Sequence, residues 1–452
     1  MNLLYLTMSP VTDINAGGVH TDFLRKFRDE GHNVYVVSPR ERRMGLPTSL
    51  KEQDGIRILG VRTLNVTRAN VVEKGLGQVS IELLFKRAIR RYFRGVKFDI
   101  IAYATPPITL VGAIKYVKCL NPEAMTYLLL KDIFPQNAVD LGMLVDSLEL
   151  RAYSLEKWPV RLVKYLLYRS FRRKEKELYR ISDWIGCMSP ANVKYVIEHN
   201  PEVDPGKVEV CPNTFAVPAK SLELRAESLE NENDNENFVA IRQKYGLPVD
   251  KPVFFYGGNL GQPQGIPFLI KCLDANRSRE DCHFLIVGDG TYYPLLHKWF
   301  ESLKLRAYGL EDGGENGKDS QLSALSYKPN ITVMKRLPKE DYDTLARSCD
   351  VGLIFLDYRF TIPNYPSRLL SCLTQHKPII ACTDPNCDTG TIAEANGYGF
   401  WCPSNSVEAF TAAVDKMLAS DIRQMGENGY KFFLENYTVQ NTYDTIMKHF
   451  QI

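Results

Sequence analysis

The stretch VFFYGGNLGQPQG, residues 253–265, decides the fold. Its leading apolar residues suit a strand buried on both faces. Gly257, Gly258, Gly261 and Gly265 follow, more glycine than a simple turn needs. IPFLIKCL then opens a helix. A strand, a glycine loop and a helix in that order begin a βαβ unit, whose strands run parallel.

The same rhythm extends in both directions. Downstream, strand-like runs recur as HFLIVGDG (283–290), ITVMKR (331–336), VGLIFL (351–356), PIIACT (378–383) and YGFWCP (398–403), before helical patterns near 420–434 and 438–450. Upstream lies an independent series: NLLYLTM (2–8), HNVYVVSP (32–39), DIIAYAT (99–105), MTYLLL (125–130), WIGCMS (184–189) and VEVCPN (208–213), with amphipathic helices between. Residues 216–240 are acidic and poor in aromatics, which predicts a linker or surface insertion. A second insertion, 306–328, reads as a loop. The expected fold is α/β: two Rossmann-like domains facing across a cleft, with the last helix crossing back to the first domain. The expected division is an N-terminal domain at 1–218, a linker at 219–240, a C-terminal domain at 241–434 and a returning helix at 435–452. Ligands of such sheets bind beyond the carboxyl ends of the strands.

Charge is uneven along the chain. Through Phe215 there are 32 Lys and Arg against 23 Asp and Glu; the remainder has 24 against 30. A basic front half and an acidic back half suggest surfaces with different partners. The net charge of +3, without a recognised binding module, predicts no nucleic-acid partner. Ten cysteines form no CxxC pair, and Cys187, Cys211, Cys349 and Cys382 lie in apolar runs as buried thiols. No leader peptide and no membrane-spanning run is expected, so the reading is a cytoplasmic protein. Residues 81–95 and 158–180 combine Lys and Arg with aromatic and aliphatic residues. Both are expected to lie on an anionic membrane surface, giving peripheral association.

Several segments carry candidate chemistry. NAGGVH (15–20) follows the first strand; Gly17 and Gly18 either cradle a phosphate at a helix start or simply turn the chain. His20 beside them is a candidate acceptor contact. Thr105 and Pro106, in TPPIT after a strand, are candidates to shape the acceptor site. Lys131 and Asp132 end a continuous apolar strand. Asp132 is the candidate to orient a substrate hydroxyl or take its proton, and Lys131 to pair with it or face a phosphate; Asp140 is expected at the surface. In the back half, Gly257, Gly258, Asn259 and Gly261 present backbone amides to a diphosphate. Lys335 and Arg336 stand at a strand end. TIPNYPSRLLSCLTQHKPIIACT (361–383) places Ser367 and Arg368 at a helix start. No His, Asp or Glu cluster has metal-ligand spacing, so neither a metal nor a cofactor is expected.

GGVH (17–20), TPPIT (105–109), LKDIFPQNAVDLGML (130–144), CMSPANV (187–193), CPN (211–213), GGNLGQPQG (257–265) and PSRLL (366–370) occur in this order. In that order the chain resembles family 4 retaining glycosyltransferases of the GT-B architecture. The likeness is to the bacterial O-antigen, capsule and exopolysaccharide branch with N-acetyl-L-fucosaminyltransferase-like members. The resemblance implies transfer of a sugar from a nucleotide-diphosphate donor, here a UDP-sugar, with retained anomeric configuration. It implies a polyprenyl-diphosphate-linked saccharide as acceptor at the inner membrane face, and metal-independent stabilisation of the leaving group. Two departures stand out. The family's Glu-x7-Glu pair falls on Pro363 and Ser371, and its loop Arg and Lys fall on Asn259 and Gln264. Asp357 and Asp384 remain as weaker candidates for sugar hydroxyls. A non-catalytic scaffold of the same fold, or a nucleotide-sugar epimerase, are the alternative readings.

Overall fold

The computed structural model describes residues 1–65, 71–105, 108–148, 158–217, 232–307 and 330–450. Pro106, most of the acidic stretch (219–231) and most of the second insertion lie outside them. The chain divides into two units. Unit 1 comprises Met1–Val217, Thr361–Tyr365 and Glu435–Ile452; unit 2 comprises Pro218–Phe360 and Pro366–Leu434.

In unit 1 the strands are β1 (Asn2–Leu6), β2 (Asn33–Glu41), β3 (Ser49–Gln53), β4 (Ile56–Thr63), β5 (Ile100–Ala104), β6 (Met125–Leu130), β7 (Trp184–Cys187) and β8 (Val208–Val210). Their order is β3-β4-β2-β1-β5-β6-β7-β8, parallel except for β3 against β4. The helices are α1 (Val19–Asp29), α2 (Val71–Tyr92), α3 (Val111–Leu120), α4 (Gln136–Asp140), α5 (Trp158–Ile181) and α6 (Pro190–His199). The β3–β4 hairpin is absent from the sequence reading above. Its signal is Asp54-Gly55, both with positive φ (49° and 77°), the two-residue turn that matches strand twist.

Unit 2 opens with α7 (Glu232–Lys244), so the end of the acidic stretch is helical. Then come β9 (Val253–Asn259), α8 (Ile266–Ala275), β10 (His283–Asp289), α9 (Tyr293–Ala307), β11 (Ile331–Met334), α10 (Lys339–Arg347), β12 (Val351–Phe355), α11 (Arg368–Leu373), β13 (Ile379–Thr383), α12 (Thr389–Ala395), β14 (Gly399–Pro403), α13 (Val407–Leu418) and α14 (Ile422–Asn436). The all-parallel order β11-β10-β9-β12-β13-β14 reverses direction between β9 and β12. Unit 1 reverses between β1 and β5. Ligand sites of open α/β sheets form at such reversal points.

Strand periodicity explains why both faces are apolar. Phe254 and Tyr256 point to one face of β9, against Leu269 and Leu273 of α8 and Phe410 of α13. Val253 and Phe255 point to the other, with Leu345 of α10. In unit 1, Tyr5, Val36, Ala102 and Leu129 pack with Phe23 and Phe27 of α1 and with Ile446 of the terminal helix α15 (Val439–Met447). Thus α15 returns to the first sheet's layer, where Tyr443 meets Phe27 edge-on at 5.0 Å.

The two basic helical stretches differ in burial. Ile81, Phe85, Ala88, Ile89 and Phe93 are core residues and Leu83 is exposed, so most of the apolar face of 81–93 is consumed by packing. On α5, Trp158 (58%), Val163 (56%), Leu166 (55%) and Leu167 (45%) are exposed. Among the described residues no helix is long and apolar enough to cross a membrane.

Candidate active site

In unit 1 the candidate residues gather at the ends of β1, β5 and β6. Thr105 follows β5 and is buried; its hydroxyl accepts from the backbone N–H of Lys131 (3.0 Å) and Asp132 (3.3 Å). It therefore holds the end of β6 in place, and its hydroxyl is spent on backbone. The half-buried Asp132 accepts a hydrogen bond from Asn137 Nδ2 at 2.8 Å. Burial raises its pKa to about 6, against the opposing Asn137 hydrogen bond. A carboxyl poised there exchanges its proton near neutrality. Lys131 turns to Asn213, donating from Nζ to Oδ1, and burial lowers its pKa to about 8. His20 shares a 2.6 Å hydrogen bond with Tyr5, and burial, aided by the Lys131 charge, lowers its pKa to about 3. It is a neutral ring.

The first glycine loop is less open to an anion than its sequence suggests. The buried Asp22, on the first turn of α1, accepts from Gly18 N at 3.1 Å through Oδ1 and from Ala216 N at 2.8 Å through Oδ2. A carboxylate already occupies that N–H, and it is itself paired with Arg25 at 2.5 Å. Gly17 faces open space.

In unit 2 the candidate residues surround the second glycine loop. A Cβ on Gly257 would collide with the Tyr342 hydroxyl, and Gly258 holds φ 125°, where only glycine rests easily. Asn259 and Gly261 N both donate to Gln264 Oε1, at 3.0 and 3.2 Å. The two residues standing where the resembled family has bases thus brace the loop. The cation arrives from elsewhere. Arg368, the first residue of α11, lays its guanidinium over the Tyr256 ring at 4.3 Å. Its Nη2 lies 3.5 Å from the position of a Gly258 Cβ, and its Nη1 is buried without a hydrogen-bond acceptor. A buried, unpaired guanidinium nitrogen beside a glycine loop is a ready anion ligand.

The remaining sequence candidates fall outside this group. α11 has six residues and the exposed Ser367 makes no side-chain cap, so its helix dipole adds little beyond the Arg368 charge. Lys335 and Arg336 are exposed after β11, an edge strand separated from β9 by β10; Lys335 lies over Tyr293 at 5.9 Å. Asp357 is engaged by Arg359 at 2.8 and 2.9 Å. Asp384 is fully buried, and burial raises its pKa to about 7, against the N–H groups of Asn386 and Cys387. It is closed to a sugar. Ser371 is exposed, and Pro363 lies in unit 1 with its carbonyl bonded to Asn192. Sequence reasoning missed Asn213, Asn137, Tyr256 and Tyr342, for polar and aromatic residues near strand ends carry no local signal of what they meet.

With this geometry in place, comparison with known proteins is informative. Residues 237–432, most of unit 2, match the family described as glycosyl transferases group 1. The chain is 23% identical over 378 residues to "Probable glycosyltransferase WbjE" of Pseudomonas aeruginosa, covering 81% of this chain and 78% of that protein. Among solved structures, Anabaena HepE in complex with UDP aligns with a TM-score of 0.61 at 14% identity, over 100% of both chains. WaaG, described as a glycosyltransferase involved in lipopolysaccharide biosynthesis, aligns with a TM-score of 0.58 at 13% identity, over 98% of both. The structural neighbours share the fold, an α/β GT-B arrangement with two Rossmann-like domains. The family match and the WbjE similarity support a group 1 glycosyltransferase.

Proposed function

We propose that this protein transfers a sugar from a UDP-sugar to a hydroxyl of a lipid-linked saccharide, with retention of anomeric configuration, in the assembly of a surface polysaccharide. The observation that carries this reading is the unpaired Arg368 Nη1 beside Gly257 and Gly258. A diphosphate supplies the missing acceptor atoms, and the guanidinium meets the charge that grows on it as the glycosidic bond breaks. No metal is assigned a role. Asp132 orients the acceptor hydroxyl and takes its proton, while neutral His20 offers a hydrogen bond without adding charge. The HepE structures with UDP and UDP-glucose support the choice of base, and WaaG supports the polysaccharide setting.

The acceptor reading brings a membrane surface with it. The exposed Trp158, Val163, Leu166 and Leu167 on α5 precede exposed Arg169, Arg173 and Arg180 on the same helix. That order suits insertion of an apolar ridge with bases among anionic headgroups. Most of the apolar face of residues 81–93 is already buried, so α5 is assigned this role.

The test is a panel of UDP- and GDP-sugars with bacterial membrane extract, following nucleotide release and label in the lipid fraction. Release of UDP with lipid-linked product is expected, with the new linkage keeping the donor's configuration by NMR. Absence of both nucleotide binding and release across the panel would overturn the reading.

A further inference from the structure

The amino ends of three neighbouring strands in unit 2 frame a cavity of about 460 Å³. Lys251 leads into β9, Asp350 into β12 and Lys377 into β13, and these strands lie side by side in that order. Arg242 of α7 and Arg423, the second residue of α14, complete its polar wall. All of these residues belong to unit 2. The glycine loop lies at the opposite, carboxyl end of β9, whose seven residues span roughly 20 Å. The cavity is therefore distinct from the ground around Arg368.

Its charges do not balance. Asp350 Oδ2 accepts from Arg242 Nη2 and from Val253 N, both at 2.7 Å, so this carboxylate is spent on one wall. Arg242 is spent with it, donating from Nε to the Ser348 carbonyl at 2.7 Å. Lys377 has no such partner. It is only 2% exposed, and its Nζ donates to the Arg347 carbonyl at 3.0 Å and to Gln375 Oε1 at 3.1 Å, two neutral acceptors. Among the described residues no carboxylate forms an ion pair with it. Burial lowers its pKa to about 8, which still leaves the ammonium the main form at pH 7. A buried ammonium without a counter-ion is costly, and its third N–H is left for a ligand. Lys251, half-buried, and Arg423, exposed, also make no ion pair among the described residues. The exposed Asp250 opposes them, while His376 in the same wall is held by Glu427 at 2.9 Å and stacks on Tyr430 at 4.0 Å. Three cations against one exposed carboxylate favour a ligand that carries two negative charges.

We propose that this cavity is a binding site for a phosphate-type oxyanion, separate from the donor site, with Lys377 as its buried ligand and Lys251 and Arg423 as its outer ones. The anion supplies the counter-charge that Lys377 lacks. It also ties the leads into β9 and β13 to the start of α14, so its binding stabilises unit 2 against unfolding.

The experiment is titration calorimetry and thermal unfolding of the full chain with inorganic phosphate, against potassium chloride at matched ionic strength. Phosphate should bind and raise the Tm where chloride does not, because screening alone does not tell the two apart. It should do so in Arg368→Ala as well, whose change lies at the glycine loop. Lys377→Met, which keeps the packing volume and removes the charge, should weaken phosphate about ten- to a hundredfold. Lys251→Ala combined with Arg423→Ala should weaken it about fivefold, and carries the test should Lys377→Met fail to fold. The UDP Kd should change less than about twofold in these variants, because the sites are distant and independent. Phosphate binding unchanged in the variants, or a chloride effect equal to that of phosphate, would overturn the proposal. So would loss of phosphate binding in Arg368→Ala, which would put the anion at the glycine loop instead.

Discussion

Replacing Arg368 by Met separates a ligand-binding cation from a structural one, because the two roles predict opposite results. In the free protein Arg368 gains from its position over Tyr256, where a cation–π contact contributes about 0.5–2 kcal/mol. It also loses, because Nη1 is buried without an acceptor, at a cost of about 1–3 kcal/mol. These terms nearly cancel, and Met retains the packing volume. Unfolding of Arg368→Met without ligand should therefore fall within about 3 °C of the parent Tm, or above it. With UDP the balance changes. Nη1 is already stripped of water, so the full charge-assisted contact is lost, about 1.5–3 kcal/mol. UDP Kd should rise roughly ten- to a hundredfold. Differential scanning calorimetry without nucleotide and titration calorimetry with UDP measure the two quantities on one preparation. A large drop in Tm with an unchanged Kd would refute the assignment and make Arg368 a strut between Tyr256 and Gly258.

Further outcomes follow from the same geometry. Burial lifts the Asp132 pKa to about 6, so the rate should climb as pH rises toward 6 and level off above it; Asp132→Asn should remove that limb in a pH–rate profile. Because the pKa is raised in the folded state, the carboxyl costs the fold nothing below its ordinary range and destabilises it increasingly as pH rises through about 6. Asp132→Asn should thus stabilise the fold at pH 8 but not at pH 4 by denaturant titration. Gly257→Ala forces a methyl into the Tyr342 hydroxyl and should cost about 1–3 kcal/mol, partly recovered by adding Tyr342→Phe. His20 should stay neutral, with no imidazole titration between about pH 5 and 8 by NMR. Leu166→Glu with Leu167→Glu should lower binding to anionic phospholipid vesicles at least tenfold in flotation assays, leaving transfer to a soluble acceptor intact.

Much of this molecule is local information. Continuous apolar runs, the glycine loop at 257–261 and the Pro-rich lead before Arg368 each declare a strand, a turn or a stop through the chemistry of neighbouring residues. The parallel sheets follow, as does the placement of Asp132 at a strand's carboxyl end. The absence of carboxylates at 363 and 371 is equally plain in the sequence. Even the β3–β4 hairpin has a local sign, Asp54-Gly55. What tertiary structure decided is which groups meet. Stretches 81–95 and 158–180 read alike, yet one apolar face is buried and the other exposed, because burial depends on what packs above a helix rather than on its own periodicity. Thr105, expected to help shape the acceptor site, is seen only in the fold to bond the backbone of Lys131 and Asp132. Arg368 lies 110 residues beyond Gly258 in the chain, and the pairing of its guanidinium with that loop arises where β9 and α11 are folded together. A side chain's charge is written in the sequence; whether that charge is paired, desolvated or left waiting is set by neighbours that only the fold supplies.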